Sequence, residues 1–530
     1  MIGEELGLSQ KEIKILSISA ELHDIGKSKI LDEILKKNSK LNKDEMLEMY
    51  RHPLHSYQII REIPGFEEVS RIILHHHEHY NGSGYPSGLR GSEIPLLSRI
   101  ITVADVFDAM TSKRIYRKRK YSDKEAIKHL KKKSGILYDP DVVEAFIRVY
   151  EKGYIFLERG NYFFSNHYYY NAQKHYQIAL KTISEKRKNY LVRLRMAAIH
   201  NRQRNYKDAI KILMEGLKRE NPYLGNYYIE LTLSYHYMDN LEEMGRYVKL
   251  ALKEDLTIQD RIRGLRHLLI YYHRVGKPEK ALELYKELER MISDFFDEMA
   301  RAEPNIVELS DRIAQKKSID LERAKLYDYV ARVMRDLGFL NESIVLFERS
   351  IELKTIYGNF LGKAISLGGL GEVYILLGEY ETARDIARET LSLSKMIRNR
   401  LGIYLAHLKL LEIHSLMGEF REAEKHLMFL HMYRKHIVAR EAQQRLNYSK
   451  GIYYYKKGNL DRAIECLDYV IQSSNNIFRR TQAEFFLAKC YKEKGDSTIA
   501  NNYYNKCKDT FKKYRMLYLS RLVEEEMTNT

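Results

Sequence analysis

The chain has 530 residues, 44% of them apolar and 30% charged, which points to more than one folded domain and excludes a disordered protein. With only 8 prolines and 28 glycines, and with abundant Lys, Glu and Leu, a turn-rich β fold is excluded and helix is favoured. The net charge is +17, of which +3 falls in residues 1–150 and +14 beyond; such an excess suits acidic partners but is more often a solvated face.

The chain opens MIGEELGLSQKEIKIL, which lacks the basic–apolar–small pattern of a secretory leader, and no apolar run approaches about 20 residues. A cytoplasmic protein with no membrane span is expected. Three helical patterns follow, each placing polar residues on a face that should be buried. Leu16, Ala20, His23, Asp24 and Lys27 share one stripe. Val69, Ile72 and Ile73 are continued by His76 and His77, with His75 and His79 off that stripe. Ile101, Asp105 and Asp108 recur at helical spacing, and His52 precedes Pro53 at a predicted helix start.

A buried His or Asp without a partner is costly, and a single one is more often a hydrogen-bonded core residue than a ligand. Several converging stripes change that, because a shared metal satisfies them together. His23, Asp24, His52, His76, His77 and Asp105 offer nitrogen and oxygen donors without sulfur, which suits iron, manganese, cobalt, nickel or zinc. These ligands are too many for one tetrahedral ion and fit two divalent metals bridged by the Asp24 carboxylate. Two such metals about 3.5–4 Å apart can hold a hydroxide and stabilise both oxygens of a phosphoryl transfer.

The runs LHDIGK at 22–27, His52-Pro53, HHE at 76–78, NGSGYPSGLRG at 81–91, IPLLSRI at 94–100 and VADVFDAMTSKRIYR at 103–117 closely resemble the HD-GYP domain. This branch of the HD phosphohydrolases is known for hydrolysing the bacterial messenger cyclic di-GMP. The resemblance spans residues 1–150. It implies that His23 and Asp24 are the name-giving metal pair, that His52, His76, His77 and Asp105 complete the metal ligands, and that iron or manganese is bound. It also implies phosphate contacts from Lys27, Arg114 and Arg117. Lys27 lies on the face of Asp24, where a cation offsets negative charge in the transition state. Asp108 is expected to orient a ligand or position water, as a catalytic residue beside Asp24 and Lys27. In the loop of Gly82, Gly84, Tyr85 and Pro86, glycine allows close backbone approach. Tyr85 is expected either to stack on or hydrogen-bond a base, or to pack the loop. Two departures stand out: Asn81 replaces the family's Asp, losing its charge, and the family's helix ahead of the HD helix, with its His ligand, is expected to be missing.

Past residue 150 the chain turns repetitive. Gly378 opens GEYETA, Gly418 opens GEFREA and Gly458 opens GNLDRA at 40-residue intervals, and Gly495 opens GDSTIA 37 later; NYKDA at 205–209 and GKPEKA at 276–281 are weaker copies. Glycine permits a left-handed exit from one helix, and the small residue five positions on lets the next helix pack closely. This resembles the tetratricopeptide repeat (TPR), lengthened beyond its usual 34 residues. The small positions are Ala172, Ala209, Met244, Ala281, Ser343, Ala383, Ala423, Ala463 and Ala500, and the long gap between Ala281 and Ser343 contains Pro304. The three cysteines, Cys466, Cys490 and Cys507, lack zinc-ligand spacing.

The expected fold is all-α: an HD-type metal-hydrolase domain at 1–150, a first TPR-like block at 151–300, a joint at 301–325 and a second block of the solenoid at 326–530. The expected function is a metal-dependent phosphodiesterase that opens cyclic di-GMP to pGpG, with GMP from a second cut. The TPR tail is expected to sense a protein or peptide partner in bacterial signalling, and a homodimer is an expected assembly. The alternative is a catalytically weak, cyclic di-GMP-responsive adaptor. Nucleic-acid binding by the basic tail lacks any groove-reading motif.

Overall fold

The computed structural model describes residues 1–112, 119–166, 168–301, 306–433, 440–474, 477–513 and 516–528. Among these every regular element is a helix, and the extended pairing is limited to two isolated bridges, Asn81 with Arg90 and Ser134 with Tyr138. The all-α expectation is met. The chain divides into two compact units, Met1–Ser234 with Met299–Ala314, and Tyr235–Glu298 with Gln315–Thr530.

Five helices carry the candidate site: α1 (Gln10–Leu22), α2 (Lys43–Met49), α3 (His52–Ile60), α4 (Glu67–Leu74) and α5 (Leu96–Thr111). Their starts follow from local chemistry. Ser9 and Glu12 form a capping box on α1, Asn42 and Glu45 another on α2, and Pro53 sits in the first turn of α3, where its missing N–H costs nothing. Ile15 of α1, Ile60 of α3, Val69, Ile72 and Ile73 of α4, and Ile100, Ile101 and Phe107 of α5 share one core with Val142 and Phe146. Each such side chain contributes about 1.5–3 kcal/mol on burial, so the core fixes the helix ends that bear the polar residues.

Two of the predicted stripes are shorter as helix than their spacing implies. The α-helix ends at Leu22, so His23 caps it and Asp24 leads into a 3-10 helix, Ile25–Lys29. Likewise α4 ends at Leu74, and His75, His76 and His77 lie in the turn that follows.

In the repeats, helices pair as the spacing implies: Phe360–Leu377 with Tyr380–Met396, Arg400–Leu416 with Phe420–Tyr433, Arg440–Lys456 with Leu460–Ser473, and Ile477–Glu493 with Ser497–Lys513. Gly378, Gly418, Gly458 and Gly495 all have φ between 78° and 85°, the left-handed exit expected of them. All nine small positions, from Ala172 to Ala500, are at most 2% exposed. The long gap between Ala281 and Ser343 is filled by two long helices, Pro278–Arg301 and Ile306–Leu337; of the expected joint, residues 302–305 with Pro304 lie outside the described residues. Phe360–Leu377 is long and apolar enough to cross a membrane, yet it is the first helix of a repeat pair. Cys466, Cys490 and Cys507 are buried free thiols.

Candidate metal centre

The last carbonyls of a helix have no N–H from their own helix, and a histidine nearby can supply one. Three histidines do this. Nδ1 of His23 lies 2.8 Å from the carbonyl of Ala20 in α1, Nδ1 of His52 lies 2.8 Å from Met49 at the end of α2, and Nδ1 of His76 lies 2.6 Å from Ile73 in α4. A carbonyl only accepts, so Nδ1 carries the proton in each ring and Nε2 presents a lone pair.

Those lone pairs converge. Nε2 of His52 is 3.4 Å from Nε2 of His76 and 3.3 Å from Oδ1 of Asp24, and Nε2 of His23 is 3.4 Å from Oδ2 of Asp24. His77 joins them, its ring centroid 4.0 Å from that of His76 and 5.0 Å from that of His52. Asp105 of α5 brings Oδ1 to 4.0 Å from Nε2 of His23. Two groups, His52–His76–His77 and His23–Asp24–His76, hold their donor atoms within 4.8 Å of one another. Nε2 of His23 and Oδ1 of Asp24 are buried without a well-formed hydrogen bond. Acceptors crowded together, two of them with no donor, are what a divalent cation satisfies, so the residues present fit the metal that the resemblance implies.

Electrostatics agree. Burial pushes His76 down to about 3 and His77 to about 2, so both rings are neutral and ready as ligands at neutral pH. Burial works to raise the Asp24 carboxyl, but the contacts with His52, His23 and Lys27 outweigh it and hold the group far below the carboxylate range. Nζ of Lys27 is 2.6 Å from Oδ2 of Asp24.

The structure therefore brings together His23, Asp24, Lys27, His52, His76, His77 and Asp105. It does not bring Asp108 to them: that carboxylate is exposed and accepts from Oγ of Ser112 at 3.1 Å. Arg114 and Arg117 lie outside the described residues. His75 faces Glu78, with Nδ1 3.6 Å from Oε1. The loop of Gly84, Tyr85 and Pro86 is held against the histidine turn: the N–H of Tyr85 donates to the carbonyl of His77 at 3.2 Å. A Cβ on Gly84 would stand 2.2 Å from the backbone nitrogen of His79, which is why glycine is needed there. Asn81 keeps a role through its oxygen, which accepts from the N–H and hydroxyl of Ser83 at 3.1 and 2.8 Å.

Sequence reasoning missed four supporting residues. Oγ of Ser56 accepts the N–H of Gly26 and donates to the carbonyl of His23, both at 2.8 Å, which ties the 3-10 helix to α3. Oγ1 of Thr102 donates to the carbonyl of His76 at 2.7 Å. Buried Glu78 accepts the N–H groups of Ser87 and Gly88 at 2.6 and 3.1 Å. Tyr50 packs against Tyr85 in a tilted pair, centroids 4.4 Å apart. Ser56 and Thr102 carried a faint signal, lying one helical turn from His52 and Asp105; Tyr50 carried none.

The comparisons with known proteins match this geometry. Residues 1–142 match the family described as HD domain, and residues 322–396 match the tetratricopeptide repeat. The chain carries an HD domain followed by tetratricopeptide repeats. The HD domain is 45% identical over 150 residues to "Cyclic di-GMP phosphodiesterase response regulator RpfG" of Xanthomonas campestris pv. campestris (strain 8004), covering 28% of this chain and 39% of that one. It is 41% identical over 150 residues to a "Cyclic di-GMP phosphodiesterase" of Thermotoga maritima, covering 28% and 40%. It is also 44% identical over 116 residues to "3'3'-cGAMP-specific phosphodiesterase 1" of Vibrio cholerae serotype O1, covering 22% and 27%. The chain thus spans at most about two fifths of the length of these relatives.

The repeats hold a separate cavity of about 300 Å³, lined among others by Arg335, Glu372, Lys409, Glu412, Tyr448 and Phe485. Its charges are already paired, Arg335 with Glu372 at 2.5 Å and Lys409 with Glu412 at 3.2 Å.

Proposed function

We propose that the HD domain is a divalent-metal-dependent phosphodiesterase that opens cyclic di-GMP to pGpG, with GMP from a second cut, and that the repeats sense a protein or peptide partner in the cytoplasm. One observation carries the reading: the Nε2 lone pairs of His23, His52 and His76 converge beside Asp24. The names of the relatives support the cyclic dinucleotide.

In this reading His23, Asp24, His52, His76, His77 and Asp105 would hold two divalent metals, iron or manganese. When bound, the metals supply an activated water and positive charge for the phosphodiester. The chain's own residues do the rest. The carbonyls of Ala20, Met49 and Ile73 fix the ring tautomers, so each Nε2 is a ligand without losing a proton. Lys27 holds Asp24 ionised and adds charge where the phosphate would sit. Arg114 and Arg117 contact phosphate, and the loop of Gly84, Tyr85 and Pro86 borders the substrate. Asp108, exposed on α5, positions water or a ligand only once substrate is bound. In the repeats, the cavity beside Tyr448 and Phe485 offers apolar walls and paired charges to a short peptide.

The test is to purify the chain without air in the presence of manganese or iron(II), count metal by mass spectrometry and follow cyclic di-GMP by chromatography. About two metals per chain and release of pGpG are expected. An Asp24→Ala variant should lack both. Metal binding without turnover of cyclic di-GMP would transfer the reading to 3'3'-cGAMP, if that is cleaved, or to an adaptor if it is not. Absence of metal would overturn it.

A further inference from the structure

The ring of Tyr85 has two aromatic neighbours. His77 stacks against it with centroids 5.0 Å apart and planes 29° apart, and Tyr50 lies 4.4 Å away at 31°. Burial, with Tyr50, Asp105 and Asp24 nearby, pushes the Tyr85 phenol well above the usual range, keeping it neutral. The column His77–Tyr85–Tyr50 runs from a candidate metal ligand outward and ends on Tyr50, which caps α2 two residues before His52 and is 43% exposed. An aromatic ring half in water and packed against a second ring is a stacking platform whose alignment is already constrained by its neighbours.

We infer that the outer face of Tyr50 is a nucleobase subsite, holding one purine of the dinucleotide while its phosphate lies at the histidine cluster. The inference rests on the phosphodiesterase reading and deepens it. Two stacking steps separate Tyr50 from His77, a span suited to the ribose between a base and its phosphate. A subsite that reads the face of a base and not its edge accepts guanine and adenine alike, because every base has a π-face. Cyclic di-GMP and 3'3'-cGAMP should then gain equally from Tyr50, and any preference between them must come from other residues.

The full chain tests this with Tyr50→Leu and Tyr50→Phe, assayed on cyclic di-GMP and on bis(4-nitrophenyl) phosphate, a diester without a base. Tyr50→Leu is expected to raise KM for cyclic di-GMP about tenfold or more, a loss at least several-fold greater than on the base-free diester, and Tyr50→Phe to retain affinity. Equal losses on the two diesters would mean that Tyr50 only packs the loop, and would overturn the inference. A second measurement needs no turnover. The chain contains no tryptophan, so Tyr50→Trp installs a lone indole that can be excited apart from the tyrosines. Its emission, followed in chelator-treated protein, should be quenched saturably by cyclic di-GMP. Lack of quenching overturns the subsite, whereas saturable quenching in a chain that cleaves neither diester upholds it and removes the phosphodiesterase reading instead.

Discussion

The HD domain and the repeats both bury histidines and both punctuate their helices with glycine, yet they use these residues differently. In the HD domain, His23, His52 and His76 each spend Nδ1 on a backbone carbonyl and aim Nε2 at a common point. In the repeats, His407 and His426 turn Nδ1 toward each other at 2.9 Å, His414 gives Nδ1 to Glu419 at 2.5 Å, and buried His267 has no hydrogen bond on either ring nitrogen. The number of buried histidines is thus a poor guide to a metal site; the direction of the free lone pairs is the guide. The glycines divide the same way. A Cβ on Gly26 would stand 2.2 Å from the carbonyl oxygen of His52 and 2.4 Å from the nitrogen of Ser56, whereas one on Gly378, Gly418, Gly458 or Gly495 would meet nothing within 4 Å. The first kind permits two backbones to touch, and the second permits a left-handed turn.

The largest effect expected from this contrast is at Asp24. Its carboxylate contacts His23, His52 and Lys27 at once, so Asp24→Ala should remove bound metal and lower hydrolysis at least about 100-fold, read by metal counting and chromatography. Metal retained in full by the variant would mean that the histidine cluster holds metal without a shared carboxylate. Gly26→Ala comes next. Its methyl would collide with backbone that has no way to yield locally, pushing the 3-10 helix off α3 and moving His23 and Asp24 with it. About 2–4 kcal/mol of stability should be lost, with a fall in metal affinity of about 10–100-fold by titration. Unchanged metal affinity would separate the fit of these two backbones from the site.

The same contrast explains what the sequence made legible. All nine small positions of the repeats could be read because period, glycine and side-chain volume are local properties, and all are buried. The polar cluster could be read because His23, Asp24, His76 and His77 continue apolar stripes, even though each helix stops short of them. The stop itself was hidden: neither Leu22 nor Leu74 is followed by glycine or proline, and the histidines take over the end carbonyls instead. Ser56 gave only a faint signal because its partners, Gly26 and His23, are 30 and 33 positions away. Tyr50 was illegible for a like reason, since only the fold brings the loop of Tyr85 over it. Asp108 is a different case. Three residues on from Asp105 it shares the stripe loosely, and the remaining rotation leaves it in solvent.

The histidines of the repeats yield a smaller effect with a definite sign. Burial pushes His407 and His426 down to about 4, against about 6.5 in an unfolded chain. Between those values the unfolded chain holds the extra protons, so stability falls as pH drops from about 6.5 toward 4. About 1–3 kcal/mol should be lost from this helix pair on going from pH 7 to 4.5, seen as faster amide exchange in Arg400–Leu416. A His426→Gln variant should flatten that dependence; an unchanged pH slope would show that carboxylates elsewhere account for it.

The smallest expected effect decides whether the two kinds of glycine are truly different. Gly418 has φ of 78° and open space around it, so Gly418→Ala meets only the intrinsic cost of a left-handed alanine, about 1 kcal/mol. Part of that is offset by the stiffer unfolded chain, so the net loss should be no larger. Exchange should quicken in the adjoining Arg400–Leu416 and Phe420–Tyr433 helices, while metal affinity and hydrolysis stay as they were. Gly26 has no left-handed φ, so if Gly418→Ala cost as much as Gly26→Ala, the collision with His52 and Ser56 would be no worse than a strained turn and would lose its place in positioning the site. A twofold or larger gap between them, with metal affinity falling in Gly26→Ala alone, is the outcome that close approach requires.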